Sequence, residues 1–600
     1  MSYAAPVREL SFVLNSLVGL SDIAELEGFG EASPDLVEAI LEESARFNSE
    51  VLGPLNRQGD QQGSRWEDGS VITPDGWKEA YGQFIENGWG ALAFPVDHGG
   101  QGLPMCVAVA VQEMWHSSNM SFGLCPMLSQ AAVDAIELHG SDEQRKTYLP
   151  KLVEGVWGGT MNLTESQAGS DLAAVRTRAE PKGDHYLITG QKIFITYGEH
   201  DLTDNIIHLL LARTPDAPPG VKGISLFIVP KFIPDANGEP GERNDLRCVS
   251  IEEKLGIHGS PTCVMSFGDD GGAVGYLVGE ENNGLVYMFT MMNQARHAVG
   301  VEGYAIAERA YQHALAYATD RKQGRTLLGE EQGGDHSIVN HPDVRRMLMS
   351  MKSNVEAARA LALECAAAFD RARRHPDAEV RERNQRRGEL LTPLVKGWST
   401  EMGVEMCSLG VQIHGGMGFI EETGAAQYLR DSRITPIYEG TTAIQANDLI
   451  GRKTARDGGK GAAELFDDMA KTLAALRAAG HEGSAAADLA AIAARFEPAL
   501  AAVRDTTDWM LAQDDARLPA AVSVEYLMQL GRLAGGWMMA RQALAAVEKA
   551  GEDGADEAWF DARRVLARYY AERFLPLVES SAEVIRSSAL STVALDVAQL

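Results

Sequence analysis

Cysteine is sparse and unpaired in this chain: six residues (Cys106, Cys125, Cys248, Cys263, Cys365 and Cys407) in 600, with no C-x-x-C spacing. That pattern argues against a thiolate zinc site and a disulfide framework, and is the one expected of free thiols in a reducing compartment. Long apolar runs are missing as well. No stretch approaches the roughly 18 apolar residues that a membrane-crossing helix needs. The Ser11–Leu20 segment is short, interrupted by Asn15, and followed by no clear cleavage signal. A cytoplasmic protein without integral membrane association is the expectation. Positive charge is in deficit: 54 lysines and arginines against 84 acids leave a net charge of −30 and a pI near 4.9. Such a surface repels nucleic acid and anionic membranes. No G-x-G-x-x-G motif follows a strand-like run, so a Rossmann dinucleotide site lacks support. His258 and His297 have no partners at metal-ligand spacing, and no metal is expected.

What is present is the composition of a globular protein, 45% hydrophobic and 23% charged, in a chain too long for one core. Residues from about 35 to 155 read as helical, starting where Pro34 leads into an acid-rich first turn, with a turn-rich interruption over Gly88–Leu103. From Gly158 to about 280, short β-rich runs (185–188, 192–196, 206–211 and 224–229) are separated by Gly, Pro and Asp, which predicts an antiparallel sheet. The helical period then returns. Val344, Met347, Leu348, Met351, Val355, Ala358, Ala362 and Cys365 mark one face of a long helix and read as core. Arg456–Gly461 reads as a linker, and helices are expected near 462–479, 485–512, 518–549 and 556–588 in a tail whose net charge is about −5. The fold class is therefore α+β, mostly α. The expected parts are an N-terminal helical domain with an N-terminal extension (1–157), a central antiparallel β domain (158–282), a four-helix bundle (283–455) and an additional C-terminal helical domain (460–600).

One carboxylate stands apart. Pro436 and Gly440 bracket Glu439, which places it in a bent, non-helical segment. Ile437 and Tyr438 before it point to burial, and burial raises a carboxylate's pKa toward a value suited to proton abstraction. A Tyr-Glu-Gly tripeptide by itself reads as an ordinary loop. In Met161–Asp171, small and hydroxyl residues in a turn can bring N–H groups and hydroxyls against a flat polar ring system. Gly169 permits close approach there, and Thr164 and Ser170 offer hydrogen bonds; a capped surface loop has the same composition. Phe194–Thr196 offers an aromatic wall and a hydroxyl, or simply a half-buried strand. Glu421 and Glu422 read as solvated, and His414 as a cofactor contact or a structural histidine. Trp559, Phe560, Tyr569 and Tyr570 read as helix core or interface.

Met161–Asp171, Lys192–Thr196, Asn293–Arg296, Arg321–Arg325, Gln412–Phe419 and Tyr438–Thr441 occur in the order seen in acyl-CoA dehydrogenases, and Gly99–Leu103 and Leu149–Leu152 resemble that family's N-terminal helical domain. The resemblance spans about residues 40–455. Length and tail are similar to the larger members with an added C-terminal helical domain, especially the type acting on 3-methylmercaptopropionyl-CoA. A medium- or long-chain acyl-CoA is the alternative substrate. The resemblance implies FAD as cofactor, an electron-transfer flavoprotein as electron acceptor, and a homodimer. It implies that Met161, Leu163, Thr164, Gly169 and Ser170 hold the flavin ring and ribityl chain, and that Phe194, Ile195 and Thr196 flank the isoalloxazine. Arg321, Gln323, Gln412, Gly415 and Gly416 would reach the FAD of a neighbouring subunit, with Thr441 a further cofactor contact. Ser170, Asn293, Arg296, Tyr438 and Gly440 would contact the acyl-CoA.

Glu439 would take the α-proton of the thioester while a hydride leaves the β-carbon. The family polarises the thioester carbonyl with the glutamate's own N–H and a ribityl hydroxyl. Some members carry their base immediately before the arginine that matches Arg296; Ala295 stands there in this chain, which leaves Glu439. Departures from the family pattern are Gln323 before Gly324, where an aromatic is common, Ala443 where glutamine is common, and Phe194 where many members have tryptophan. An acyl-CoA oxidase shares these motifs, although Val597–Leu600 lacks a Ser-Lys-Leu address. A nucleic-acid-associated flavoprotein of the same family needs a basic groove, and the tail offers only dispersed arginines such as Arg563, Arg564 and Arg568.

Overall fold

The computed structural model describes residues 3–331, 334–479 and 485–599; Leu600, the end of the Val597–Leu600 stretch, lies outside them. The first long N-terminal helix, Pro34–Phe47, starts where expected. Ser33 caps it by accepting the Leu36 N–H at 3.3 Å, and Pro34 occupies a first-turn position that needs no N–H. The Asp142–Glu154 helix opens with a reciprocal capping box between Ser141 and Gln144. Between them runs α1 (Met105–His139), buried over most of its length and broken at Asn119, whose backbone (φ −155°, ψ 87°) is not helical.

The sheet follows. Its strands run in the spatial order Leu246–Ile251, Thr262–Phe267, His185–Thr196, Ala273–Leu277, Ser225–Pro230, Asn205–Ala212 and Trp157–Asn162, and Arg178–Lys182 also pairs with His185–Thr196. The pairings are antiparallel except the last, in which Trp157–Asn162 lies parallel to Asn205–Ala212. This departs from a wholly antiparallel expectation. Asn205–Ala212 is buried at every residue, as a strand covered on both faces must be. The two runs read from sequence at 185–188 and 192–196 form one strand, carried through Gly190.

Three long helices form the bundle: α2 (Gly284–Asp320), α3 (Pro342–Arg374) and α4 (Ala378–His414), followed by the shorter α5 (Thr442–Ile450). The apolar face read on α3 is buried at every position except Val344, which is half-buried. Helices α2 and α4 cross through glycines. A Cβ on Gly403 would lie 2.1 Å from the Gly303 carbonyl oxygen, one on Gly303 2.7 Å from the Thr400 Cα, and one on Gly300 2.5 Å from the Val395 carbonyl oxygen. Those obstacles are backbone, which cannot rotate aside. Gly403→Ala is therefore expected to cost about 1–3 kcal/mol, seen as a lower melting temperature in calorimetry. Gly82→Ala, where an added Cβ meets nothing within 4 Å, is expected to leave the melting temperature unchanged or higher.

The tail contributes α6 (Lys460–Ala479), α7 (Ala486–Leu511), α8 (Ser523–Ala550) and α9 (Glu557–Thr592). The helix expected over 518–549 is interrupted at Val522 (φ −121°, ψ 18°), which leaves Arg517–Ala521 as a separate turn. Trp559 and Phe560 pack on Phe12 at ring-centroid distances of 5.3 and 6.0 Å, and Tyr570 is buried, so these aromatics form interface and core. Ion pairs tie the tail to α3, from Arg541 to Glu364 at 3.0 Å and from Arg563 to Glu356. All six cysteines are buried and unpaired, and no helix among the described residues is long and apolar enough to cross a membrane.

Candidate active site

The chain between the Ala425–Ser432 helix and α5 is bent, as the bracketing Pro436 and Gly440 require. Glu439 has φ +53° and Gly440 φ +91°. A left-handed backbone costs a non-glycine residue about 1–2 kcal/mol, so the surroundings must impose it. They do so from two helices. Lys396 on α4 donates from Nζ to the Gly440 carbonyl at 2.7 Å, and Gln445 on α5 donates from Nε2 to the Glu439 and Gly440 carbonyls, each at 3.4 Å. A Cβ on Gly440 would stand 2.8 Å from that Gln445 nitrogen and 3.6 Å from Arg296 Nη2, so close approach as well as φ demands glycine. Thr441 caps α5, its hydroxyl accepting the Ile444 N–H at 3.3 Å.

The electrostatics are set by groups from two crossing helices. Burial pushes the Glu439 carboxyl above the usual carboxylate range, and the Arg296 and Lys396 cations restrain the rise. Arg296 is buried on α2 and lies 3.7 Å from Asp448. Burial pulls the Lys396 ammonium down to about 8 against the pull of Glu439 and Glu302. Ile437 does not contribute the burial expected of it, being 46% exposed; Tyr438 and Glu439 are half-buried, and Glu439 faces the cations of Arg296 on α2 and Lys396 on α4. Ala295 is buried, and Glu421 and Glu422 are exposed.

The residues of Met161–Asp171 sit at the exit of the Trp157–Asn162 strand. Met161 is buried, Leu163 and Thr164 half-buried, and Gly169 and Ser170 exposed. A buried ion pair fixes this loop. Lys192, wholly inaccessible, donates to Glu165 at 2.8 Å and to the Leu163 carbonyl at 3.0 Å, while Glu165 also accepts from Thr177 Oγ1 at 2.6 Å. The Lys192 cation and these hydrogen bonds outweigh burial and hold Glu165 at about 2, and burial pulls Lys192 down to about 8. Opposite the loop, the register shifts between Cys263 and Met265, and Phe194 sits in that bulge with φ +59° and 58% exposure, while Ile195 is buried and Thr196 half-buried. The Ile193 N–H donates to the Thr164 carbonyl at 2.9 Å, which ties this strand to the loop; an exposed aromatic held in a left-handed conformation and the hydroxyls of Thr164, Ser170 and Thr196 are residue types suited to a flat polar ring.

Asn293 is exposed, near the start of α2. Arg321 and Gln323 follow the end of that helix, where His341 meets the Gln323 carbonyl at 2.9 Å, and both are exposed. Tyr317 stacks on the buried His414 at 4.4 Å, which brings the end of α2 beside the exposed Gln412, Gly415 and Gly416. About 30 Å of helix separates Arg296 from Tyr317 at 1.5 Å rise per residue. The structure thus groups the predicted residues at opposite ends of α2. Sequence reasoning assigned no role to Glu302, Lys396, Gln445 or the Glu165–Lys192 pair. The available signal was a lone charge among small and apolar neighbours, as in Val299–Tyr304 and Leu394–Trp398.

The family model described as "Acyl-CoA dehydrogenase, N-terminal domain" matches residues 37–156, the "middle domain" model residues 160–269, the "C-terminal domain" model residues 282–453, and "Acetyl-CoA dehydrogenase C-terminal like" residues 465–596. The chain belongs to the acyl-CoA dehydrogenase family of oxidoreductases. It is 51% identical, over 97% of each chain, to 3-methylmercaptopropionyl-CoA dehydrogenase of Ruegeria pomeroyi. It is 35% identical to the broad-specificity linear acyl-CoA dehydrogenase FadE5 of Mycobacterium tuberculosis, over 98% of this chain and 97% of that one. The solved structure of Caenorhabditis elegans ACDH-11 in complex with C11-CoA aligns with a TM-score of 0.77 over 99% of this chain and 96% of that chain, at 20% identity, which is a likeness of fold.

Proposed function

We propose that this enzyme removes the α-proton of an acyl-CoA thioester with Glu439 and yields the 2,3-enoyl-CoA, with 3-methylmercaptopropionyl-CoA as its substrate. The observation that carries the assignment is Glu439 itself: a carboxyl raised by burial, presented by a clamped left-handed turn, beside the cation of Arg296. A base of this kind must be ionised yet desolvated, and the cations of Arg296 and Lys396 oppose the rise that burial imposes. The Glu439 N–H would hold the thioester carbonyl as negative charge develops there. The exposed Phe194 ring, the Thr164, Ser170 and Thr196 hydroxyls and the fixed Met161–Asp171 loop fit FAD, with Met161, Leu163, Gly169, Ile195 and Thr441 completing its contacts. When bound, FAD supplies the acceptor for the β-hydride. Ser170, Asn293, Arg296, Tyr438 and Gly440 would hold the acyl-CoA.

Arg321, Gln323, Gln412, Gly415 and Gly416 gather where α2 and α4 end, about 30 Å along α2 from Arg296, and we assign them to the cofactor of a second subunit in a homodimer. An electron-transfer flavoprotein takes the electrons in this reading, and the location is cytoplasmic, with no nucleic-acid or integral membrane partner. We keep the four-part division at 157, 282 and 455–460 as a proposal on the same footing. The substrate rests on the relative that shares half of all residues across nearly the whole chain. The FadE5 relative's name favours linear acyl-CoAs as the second reading. A panel of acyl-CoAs tests both: 3-methylmercaptopropionyl-CoA is expected to exceed straight-chain acyl-CoAs in kcat/KM by about tenfold or more. A preference for medium straight chains would transfer the assignment to the second reading.

A further inference from the structure

We propose that Glu302 is a positioning residue for this reaction: a buried acid that holds the Tyr438 phenol and so fixes the bend that presents Glu439. The inference rests on Glu439 as the base. Glu302 lies on α2 between Gly300 and Gly303, at the crossing with α4, and its side chain has no solvent contact. One carboxyl oxygen accepts the Tyr438 O–H, and the other has no hydrogen-bond partner among the described residues. The charged and titratable groups facing it are Tyr438 and Glu439 from the loop and Lys396 from α4, with Arg296 earlier on its own helix. Lys396 directs its ammonium to the Gly440 carbonyl, and no ion pair to Glu302 exists among the described residues.

Three side chains thus hold Tyr438-Glu439-Gly440. Lys396 and Gln445 hold the carbonyls, and Glu302 alone holds the side chain that precedes the base. A buried carboxyl with one unbonded oxygen and no ion pair is cheap only as a neutral acid. Burial pushes Glu302 up to about 8, with Glu439 adding to the rise and the Tyr438 hydrogen bond and Lys396 opposing it. While Glu302 is neutral it adds no negative charge beside Glu439, and Asp448 is paired with Arg296. Once Glu302 ionises, a second charge opposes the negative charge that develops on the thioester, and the bend loses its neutral anchor.

The test measures kcat and single-turnover flavin reduction from about pH 6 to 9.5 for the FAD-loaded enzyme and its Glu302→Gln, Glu302→Ala, Tyr438→Phe and Glu302→Ala/Tyr438→Phe variants. Wild type is expected to lose activity with an alkaline limb near 8. Glu302→Gln, which cannot ionise, is expected to lose that limb. Glu302→Ala and Tyr438→Phe should each lower kcat by about 10–100-fold, Glu302→Ala with KM within about twofold, and the double variant should have a kcat no lower than either. An alkaline limb retained in Glu302→Gln, or losses that multiply in the double variant, would overturn the proposal. Should Glu302→Ala fail to fold, the Glu302→Gln profile decides alone. Glu439→Gln in the same assay separates the two assignments: flavin reduction there removes the base, whereas an unchanged Glu302→Gln profile removes only Glu302.

Discussion

Glu439→Gln is expected to slow acyl-CoA-dependent flavin reduction by about ten-thousandfold while FAD stays bound. General-base removal of an α-proton contributes factors up to that order, and the amide retains the side chain's length without its basicity. The substitution should also leave the turn intact, because what holds it are contacts to backbone carbonyls from Lys396 and Gln445 and the Tyr438–Glu302 bond, none of which involves the Glu439 carboxyl. The sign of the pH dependence follows from the same group. Activity needs the ionised form, and burial raises the Glu439 pKa, so the acidic limb of kcat should lie above the range of an ordinary carboxylate. Arg296 opposes that rise, and Arg296→Gln should move the limb to still higher pH. Anaerobic stopped-flow absorbance reads both. Flavin reduction at near wild-type rate in Glu439→Gln would remove the residue from the chemistry.

Much of this arrangement is legible in the linear chain, and the parts that are not share a cause. The bend at Glu439 follows from Pro436 and Gly440, a local signal, and the tail helices follow from apolar period broken by Gly and polar residues. The parallel pairing of Trp157–Asn162 with Asn205–Ala212 joins strands more than 40 residues apart in the sequence and has no local mark. Glu302 and Lys396 meet Glu439 only because α2 and α4 approach through Gly300, Gly303 and Gly403, and each of those glycines alone reads as a weak helix position. Ile437 and Tyr438 point to burial of Glu439 in the sequence; Ile437 is exposed, Tyr438 half-buried, and the cations that tune the carboxyl come from helices distant in sequence. Period and punctuation specify elements; the charge on an active-site group is specified by which elements cross.

The buried triad that pins α2 should dominate stability in the same way. Arg359 on α3 donates to Glu113 on α1 at 2.6–3.0 Å and to Glu308 on α2 at 2.9 Å, and Arg359 and Glu113 are essentially inaccessible. Arg359→Met keeps most of the volume and removes the cation, which leaves Glu113 buried and unpaired, and the expected loss is about 3–5 kcal/mol. Its pH dependence is diagnostic. Burial already raises the Glu113 pKa, with Arg359 the main force opposing it, so the variant's folded state holds its proton well above the ordinary carboxylate range. A folded state that binds the proton more tightly than the unfolded chain is most stable at low pH and loses that advantage as pH rises. The melting-temperature deficit of Arg359→Met should therefore be smaller at about pH 5 than at about pH 8, and adding Glu113→Gln should recover part of it by removing the orphaned charge. Equal deficits at both pH values, with no recovery in the double variant, would show that Arg359 acts through packing alone. Because Glu308 and Glu302 lie on the same helix, less than two turns apart, a triad that fails should also loosen the Tyr438 anchor, and kcat should fall in step with stability.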